Sequence, residues 1–179
     1  VAIDGKTIVA GAPYDDDAGS DSGSVYVFAL PAPTDFAETA KLTAADAAAT
    51  SMFGGSVAID GNTVIIGATG AGTGGSVYVL RTSDGGVTYD QVAKLMASDG
   101  AAGDEFGYSV TIDGNTVVVG AYLDDDAGTS SGSAYVFRTT DGGATYDQVA
   151  KLTAADAAAS DYFGGSVAIA GDTVAIRGG

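Results

Sequence analysis

Ser56-Val-Ala-Ile-Asp-Gly-Asn-Thr-Val64 returns as Ser109-Val-Thr-Ile-Asp-Gly-Asn-Thr-Val117 and again as Ser166-Val-Ala-Ile-Ala-Gly-Asp-Thr-Val174. The chain also opens inside a fourth copy, Val1-Ala-Ile-Asp-Gly-Lys-Thr-Ile8. Aligned on Val1, Val57, Val110 and Val167, the copies lie 56, 53 and 57 residues apart. A period of this size marks a repeat architecture, in which each unit hides its apolar faces against its neighbours. Within each copy an Asp-Gly-Asn or similar turn separates two short apolar runs, which reads as a tight hairpin. The second run, Thr116 to Val119 or Val64 to Ile66, is apolar without alternation, so both faces of that strand need cover. Adjacent units supply it.

The third unit shows the rest of the pattern. Strands are expected at Ser109–Ile112, Thr116–Gly120, Gly132–Phe137 and Tyr146–Leu152, with a variable loop over 121–131 and a Gly-rich turn over 139–145. Asp147, Gln148 and Lys151 make the fourth strand polar, as befits an outer edge that must resist pairing with other molecules. Four antiparallel strands per unit describe a propeller blade. The expected fold class is therefore all-β: a β-propeller of four-stranded antiparallel blades, about three blades plus part of a fourth, a fragment of a larger ring. The expected units are 1–56 (blade 1, its first strand truncated), 57–109 (blade 2), 110–166 (blade 3) and 167–179 (first hairpin of blade 4). Ala-rich stretches such as Leu42 to Ala49 span only about two turns with no apolar stripe, which favours loop over helix. In the first unit the segment from Ala29 to Asp35 replaces the Gly-rich turn, and Pro31 and Pro33 stiffen it.

Composition removes several classes of function. The 179 residues hold 23 Asp and Glu against 7 Lys and Arg, a formal net charge of −16. Such a surface repels phosphate backbones and anionic headgroups, so no nucleic-acid partner and no electrostatic membrane docking are expected. There is no Cys and no His. Thiolate chemistry, disulfides and the usual general base near neutral pH are therefore absent. No run approaches the roughly 20 apolar residues that cross a bilayer, so membrane insertion is not expected.

At Phe106-Gly107 before the first strand and Val119-Gly120-Ala121 after the second, the chain resembles the FG-GAP family, whose repeat also builds integrin alpha-subunit propellers. The matches recur at Phe53-Gly54 with Ile66-Gly67-Ala68, at Phe163-Gly164, and as Ala10-Gly11-Ala12-Pro13. The resemblance implies a four-stranded blade, a ring commonly of seven blades, and a secreted or cell-surface setting with roles in adhesion or recognition. Calcium-binding members carry a longer Asp-rich loop between the first two strands. Here that loop is cut to Asp60-Gly61-Asn62 and Asp113-Gly114-Asn115, too short to wrap a cation that demands six to eight oxygens. Thr82 to Tyr89 and Thr139 to Tyr146 resemble the Asp-box turns of sialidase-type propellers, with Tyr for the usual Trp. There Asp84 or Asp141 would bind turn amides while the aromatic ring plugs the sheet edge.

The candidate site residues are the acidic loops Asp15, Asp16, Asp17 with Asp21, and Asp124, Asp125, Asp126. Clustered carboxylates on a Gly-containing loop suit calcium, a hard cation, at weak affinity. They equally suit a solvated charge cluster that keeps the rim soluble. The second unit shortens this loop to Thr69–Gly75 without any acid, so a blade folds without the triplet. No other cofactor is implied. Glycosidase chemistry needs paired carboxylates. Glu38 and Glu105 occupy unrelated repeat positions, and no nucleophile–base pair is visible, so no enzyme is expected. Phe53, Phe106 and Phe163 read as core plugs between blades. The expected function is a non-catalytic extracellular scaffold or adhesion module, with a calcium-dependent or lectin-like propeller as the alternative. Its partners are a protein or glycan met through the loops, and further blades or other chains that cover the open sides.

Overall fold

The computed structural model describes residues 1–32 and 35–179, and among them every regular element is a strand. The first sheet joins β1 (Ala2–Asp4), β2 (Thr7–Ala12), β3 (Ser24–Ala32) and β4 (Asp35–Leu42) in chain order. The second joins β5 (Ser56–Asp60), β6 (Thr63–Ala68), β7 (Ser76–Arg81) and β8 (Asp90–Leu95), and the third β9 (Ser109–Asp113), β10 (Thr116–Ala121), β11 (Ser133–Arg138) and β12 (Asp147–Leu152). A two-stranded hairpin, β13 (Ser166–Ala170) and β14 (Thr173–Arg177), follows. Neighbouring strands within each sheet pair antiparallel. The first strands of successive sheets stand side by side, β1 by β5, β5 by β9 and β9 by β13. This is a partial β-propeller, in which each sheet is a blade and β1, β5, β9 and β13 are the innermost strands. The Ala-rich linkers are turns and loops, as expected. Pro31 lies within β3, and the stiffening expected of Pro33 falls outside the described residues.

Local chemistry explains the hairpins. Asp60 pairs with Thr63 across two turn residues, and Gly61 there takes φ +54°, a left-handed conformation that glycine adopts without strain. Gly114 and Gly171 repeat it at +55° and +56°. Every outer strand carries a bulge at one repeat position, the register shifting between Val27 and Phe28, Val79 and Leu80, and Val136 and Phe137. A bulge twists an edge strand and spoils it as a template for further pairing.

The non-alternating second strands are buried by sheets on both sides. Val64 and Ile66 join Val9, Val25, Val27 and Leu42 of the first blade in one core. Their neighbour Ile65 points the other way and joins Val117, Val119, Tyr135 and Phe137 of the third blade in a second core. Phe53 and Phe106, at 0% and 1% exposure, plug these junctions. They meet Tyr78 and Tyr135 edge-on at centroid distances of 5.3 and 5.4 Å. Each ring buries enough surface for roughly 3 kcal/mol. Outside these junctions Ile3 is 64% exposed on the first blade, where its repeat equivalent Ile112 is 9% exposed.

Candidate functional site

The acidic loops leave β2 and β10 and return into β3 and β11. In the first, each Asp of the triplet has a separate task. Asp15 Oδ2 accepts hydrogen bonds from Ser24 Oγ (2.8 Å) and Tyr26 Oη (2.9 Å), and Lys41 Nζ lies 3.0 Å away. Asp16 Oδ1 accepts the amide of Asp21 at 2.8 Å, which holds Asp21 at φ +53°. Asp17 pairs with Lys41. The hydroxyl of Ser24, then Lys41 and Tyr26, hold the Asp15 carboxyl well below the usual range, while Asp17 foremost raises Lys41.

The third blade repeats this wiring with deeper burial. Asp124 is 3% exposed, and its Oδ2 lies 2.7 Å from Tyr135 Oη and 3.0 Å from Lys151 Nζ. Asp125 Oδ1 accepts the amide of Ser130 at 2.6 Å, and Asp126 pairs with Lys151. A further carboxylate arrives from the linker: Asp99 Oδ2 is 2.7 Å from Lys151 Nζ, and its Oδ1 accepts from Tyr135 Oη at 3.0 Å. The tyrosine has one proton, so it serves Asp99 and Asp124 in turn. Burial works against the Lys151 charge, but Asp126, Asp99 and Asp124 outweigh it and raise its pKa. Three carboxylates thus converge on the protein's own ammonium. Among the described residues, no group of three or more acidic side chains has metal-binding geometry.

The second blade shows what the linker acid does alone. Ala71 stands where Asp15 and Asp124 stand, and Asp46 of the preceding linker takes over. Its Oδ1 accepts from Tyr78 Oη at 2.8 Å and its Oδ2 meets Lys94 Nζ at 2.6 Å. Lys94 also lies 5.0 Å from the centre of the Tyr78 ring, as Lys41 and Lys151 lie 5.2 Å from those of Tyr26 and Tyr135. The same outer strands reach the linker a second time, Gln91 Oε1 accepting the Ala45 amide (3.1 Å) and Gln148 Oε1 the Ser98 amide (2.9 Å). The polar residues expected to protect an edge therefore clasp the second and third blades to the linkers before them. Sequence reasoning missed this clasp. Its signal was present: three of the seven cationic residues, Lys41, Lys94 and Lys151, recur in Ala-Lys-Leu.

Asp60 and Asp113 in the shortened hairpin loops accept the turn amides of Gly114 and Gly171 at 2.6 Å, one blade further on. The Asp-box turns are structural as expected. Asp84 Oδ1 accepts the amides of Val87 and Thr88, both at 3.0 Å, and Thr82 Oγ1 accepts that of Gly86 at 2.9 Å. The Thr88 hydroxyl and amide foremost hold the Asp84 carboxyl far below the usual range, and Asp141 repeats this with Thr145. Tyr89 and Tyr146 pack against the two cores.

One rim carries a different kind of surface. Met52, Glu105 and Tyr162 each precede a Phe-Gly, and each is held at positive φ, +53°, +55° and +50°. Backbone strain of this kind in residues other than Gly clusters at functional positions. The Phe-Gly behind them repeats, whereas these three side chains all differ. A groove of about 440 Å³ runs past the first two, lined by Pro13, Tyr14, Met52, Thr69, Glu105 and Tyr108. Tyr108, Tyr122 and Tyr162 continue it as a tilted stack, with centroids 4.1 and 6.0 Å apart.

A family profile described as FG-GAP repeat matches residues 1–28, 36–80, 89–137 and 146–177, most of the chain. The chain belongs to the FG-GAP repeat family. The FG-GAP matches run out of phase with the sheets, since 36–80 starts on the outer strand of one blade and ends on the third strand of the next. That phasing keeps the clasping linker inside one sequence unit. No curated protein matches this FG-GAP chain. Among solved structures it is similar to the crystal structure of Saccharomyces cerevisiae Sqt1, at 12% identity and a TM-score of 0.47. The match covers 87% of this chain and 34% of that one, so the chain spans about a third of that protein's length. No helix among the described residues is long and apolar enough to cross a membrane.

Proposed function

We propose that this FG-GAP chain is a non-catalytic extracellular scaffold, secreted or at the cell surface, that meets protein or glycan partners through its rim. The observation that carries this reading is the division of labour among its side chains. The repeated polar residues are spent on holding blades together, while the side chains that vary from blade to blade, Met52, Glu105 and Tyr162, are presented in front of an invariant Phe-Gly. Rigid elements that display variable loops suit recognition. Half-exposed tyrosines supply contact area at little entropic cost. The test is a screen of the immobilised chain against glycans and peptides. Saturable binding that Tyr108→Ser and Tyr162→Ser remove without moving Tm is the expected result, and no saturable binder in either class would sink the proposal.

A calcium-dependent or lectin-like propeller is the second reading. It draws on a cleft of about 250 Å³ lined by Asp99, Asp104, Asp124, Asp125 and Asp126. Calcium there would compete with the Lys151 ammonium for Asp124 and Asp126, and at the first loop with Lys41 for Asp15 and Asp17. Titration calorimetry with calcium decides it: heat and a rise in Tm support a site, and neither removes it.

A further inference from the structure

We propose that the rim groove holding Glu105 binds a methylated ammonium with no anion of its own, free choline being the simplest such molecule. The blades themselves show what this protein does with a carboxylate beside a tyrosine. Lys41, Lys94 and Lys151 each set an ammonium 5.0 to 5.2 Å from the centre of a tyrosine ring, and each is ion-paired to at least one Asp. The negative face of the ring and the carboxylate attract the same cation.

The rim carries the same two groups without the cation. Glu105, half-buried, lines the groove with Tyr14, Met52 and Tyr108. Burial, and then the Glu105 charge, raise the pKa of Tyr122, which stacks on Tyr108 at 4.1 Å, so the carboxylate stands beside that pair of rings. Arg177 lines the adjoining cavity with Tyr122 and Tyr162, but among the described residues no lysine or arginine forms an ion pair with Glu105. A partly desolvated carboxylate costs free energy until a cation meets it. The net charge of −16 draws such cations from solution.

The acceptors present choose the kind of cation. Lys151 satisfies its N–H groups with three carboxylates and Lys41 with two, whereas the groove offers Glu105 alone. The carbonyls of Met52 and Glu105 already accept the amides of Gly55 and Tyr108, both at 3.0 Å, and the Thr69 hydroxyl is directed at the Met52 sulfur at 3.9 Å. A primary ammonium or a guanidinium would lose hydration there that the groove does not replace. A trimethylammonium has no N–H to satisfy, and its methyl groups suit the surfaces of tyrosine and methionine. An attached carboxylate or phosphate would be brought up against Glu105, which disfavours betaine and phosphatidylcholine.

Titration calorimetry of the whole chain with choline chloride, against matched sodium chloride, tests this. Saturation with a Kd on the order of 1 mM is expected. The neutral tert-butyl isostere of choline, ethanolamine and betaine should each bind at least about tenfold more weakly. Glu105→Gln and Tyr108→Leu should each weaken choline about tenfold with Tm unchanged. Asp147→Asn, which removes the same charge from an exposed position, should leave the affinity as it is. Absence of saturation, equal affinity for the isostere or ethanolamine, full affinity in Glu105→Gln, or sedimentation of the chain with phosphatidylcholine vesicles would overturn the proposal. A rim without peptide or glycan binders would leave it untouched, since choline is titrated alone.

Discussion

Gly67 and Gly107 meet backbone to backbone across the junction of the second and third blades, with no room between them for a methyl group. The two dipeptides that name the family, Phe-Gly and Gly-Ala, are therefore two sides of one contact, made by residues far apart in sequence. Ser56 Oγ donates to the Gly107 carbonyl at 2.7 Å and seals it.

Gly67→Ala should cost about 3 kcal/mol or more, because the atom that the methyl group meets is backbone and cannot rotate away. Gly114→Ala is the control. Its φ of +55° strains any other residue, but nothing lies within 4 Å of the new methyl group, so about 1 kcal/mol is expected. Urea denaturation of both variants measures the difference.

The sequence suggested that Asp124, Asp125 and Asp126 could become Ser without loss, since the second unit manages without them. The burial of Asp124 against Lys151 and Tyr135 changes that expectation. Lys151→Met should cost about 3 kcal/mol, as it strands a buried carboxylate beside two others. Lys94→Met should cost only about 1 kcal/mol, since its partner Asp46 is 53% exposed in its side chain. Thermal melts separate the two outcomes, and equal losses would contradict the hub role of Lys151.

Acid should unfold this protein by releasing its bound carboxylates. Asp15, Asp46, Asp84, Asp99 and Asp141 all have pKa values lowered by folding. A lowered pKa contributes stability that is present above the unfolded value, about 4, and is lost as pH falls through the folded one. The denaturation midpoint should therefore hold from neutral pH to about 5 and drop steeply below 4. Asp104 runs the other way, since burial and then the charges of Asp124 and Asp125 raise its pKa. Its contribution is present at low pH and is lost as pH rises through that raised value. Asp104→Asn should thus stabilise the protein at pH 7 relative to pH 3, read from the same midpoints.

Phe106 and Tyr108 sit two residues apart and should behave oppositely. Phe106→Ala empties a junction core and should cost about 4 kcal/mol. Tyr108 is 46% exposed, and Tyr108→Ser should change stability by less than about 1 kcal/mol. Differential scanning calorimetry of both tests whether the rim tyrosines are dispensable to the fold.

Much of the architecture was legible because it is local. Asp113-Gly114-Asn115 writes a hairpin in adjacent residues, and its repetition counts the blades, while Thr139 to Tyr146 writes a turn that resembles an Asp box. The clasps were not legible, because Asp46 and Lys94, or Asp99 and Lys151, are separated by about fifty residues. The recurring Ala-Lys-Leu marks the lysines, but nothing in the linkers announces which carboxylate reaches the next sheet.

The sequence by itself determined that near-identical sheets cover one another, since period and two-sided apolar strands allow no other way to leave water. Only the tertiary structure decided what the charges do. Each Asp of the acidic triplet looks alike in the chain, but pleat and loop send Asp124 inward to a tyrosine and lysine, Asp125 to a backbone amide and Asp126 to the same lysine. Electrostatic partners are chosen by distance in space, and that distance is set only when strands far apart in the chain pair into one sheet.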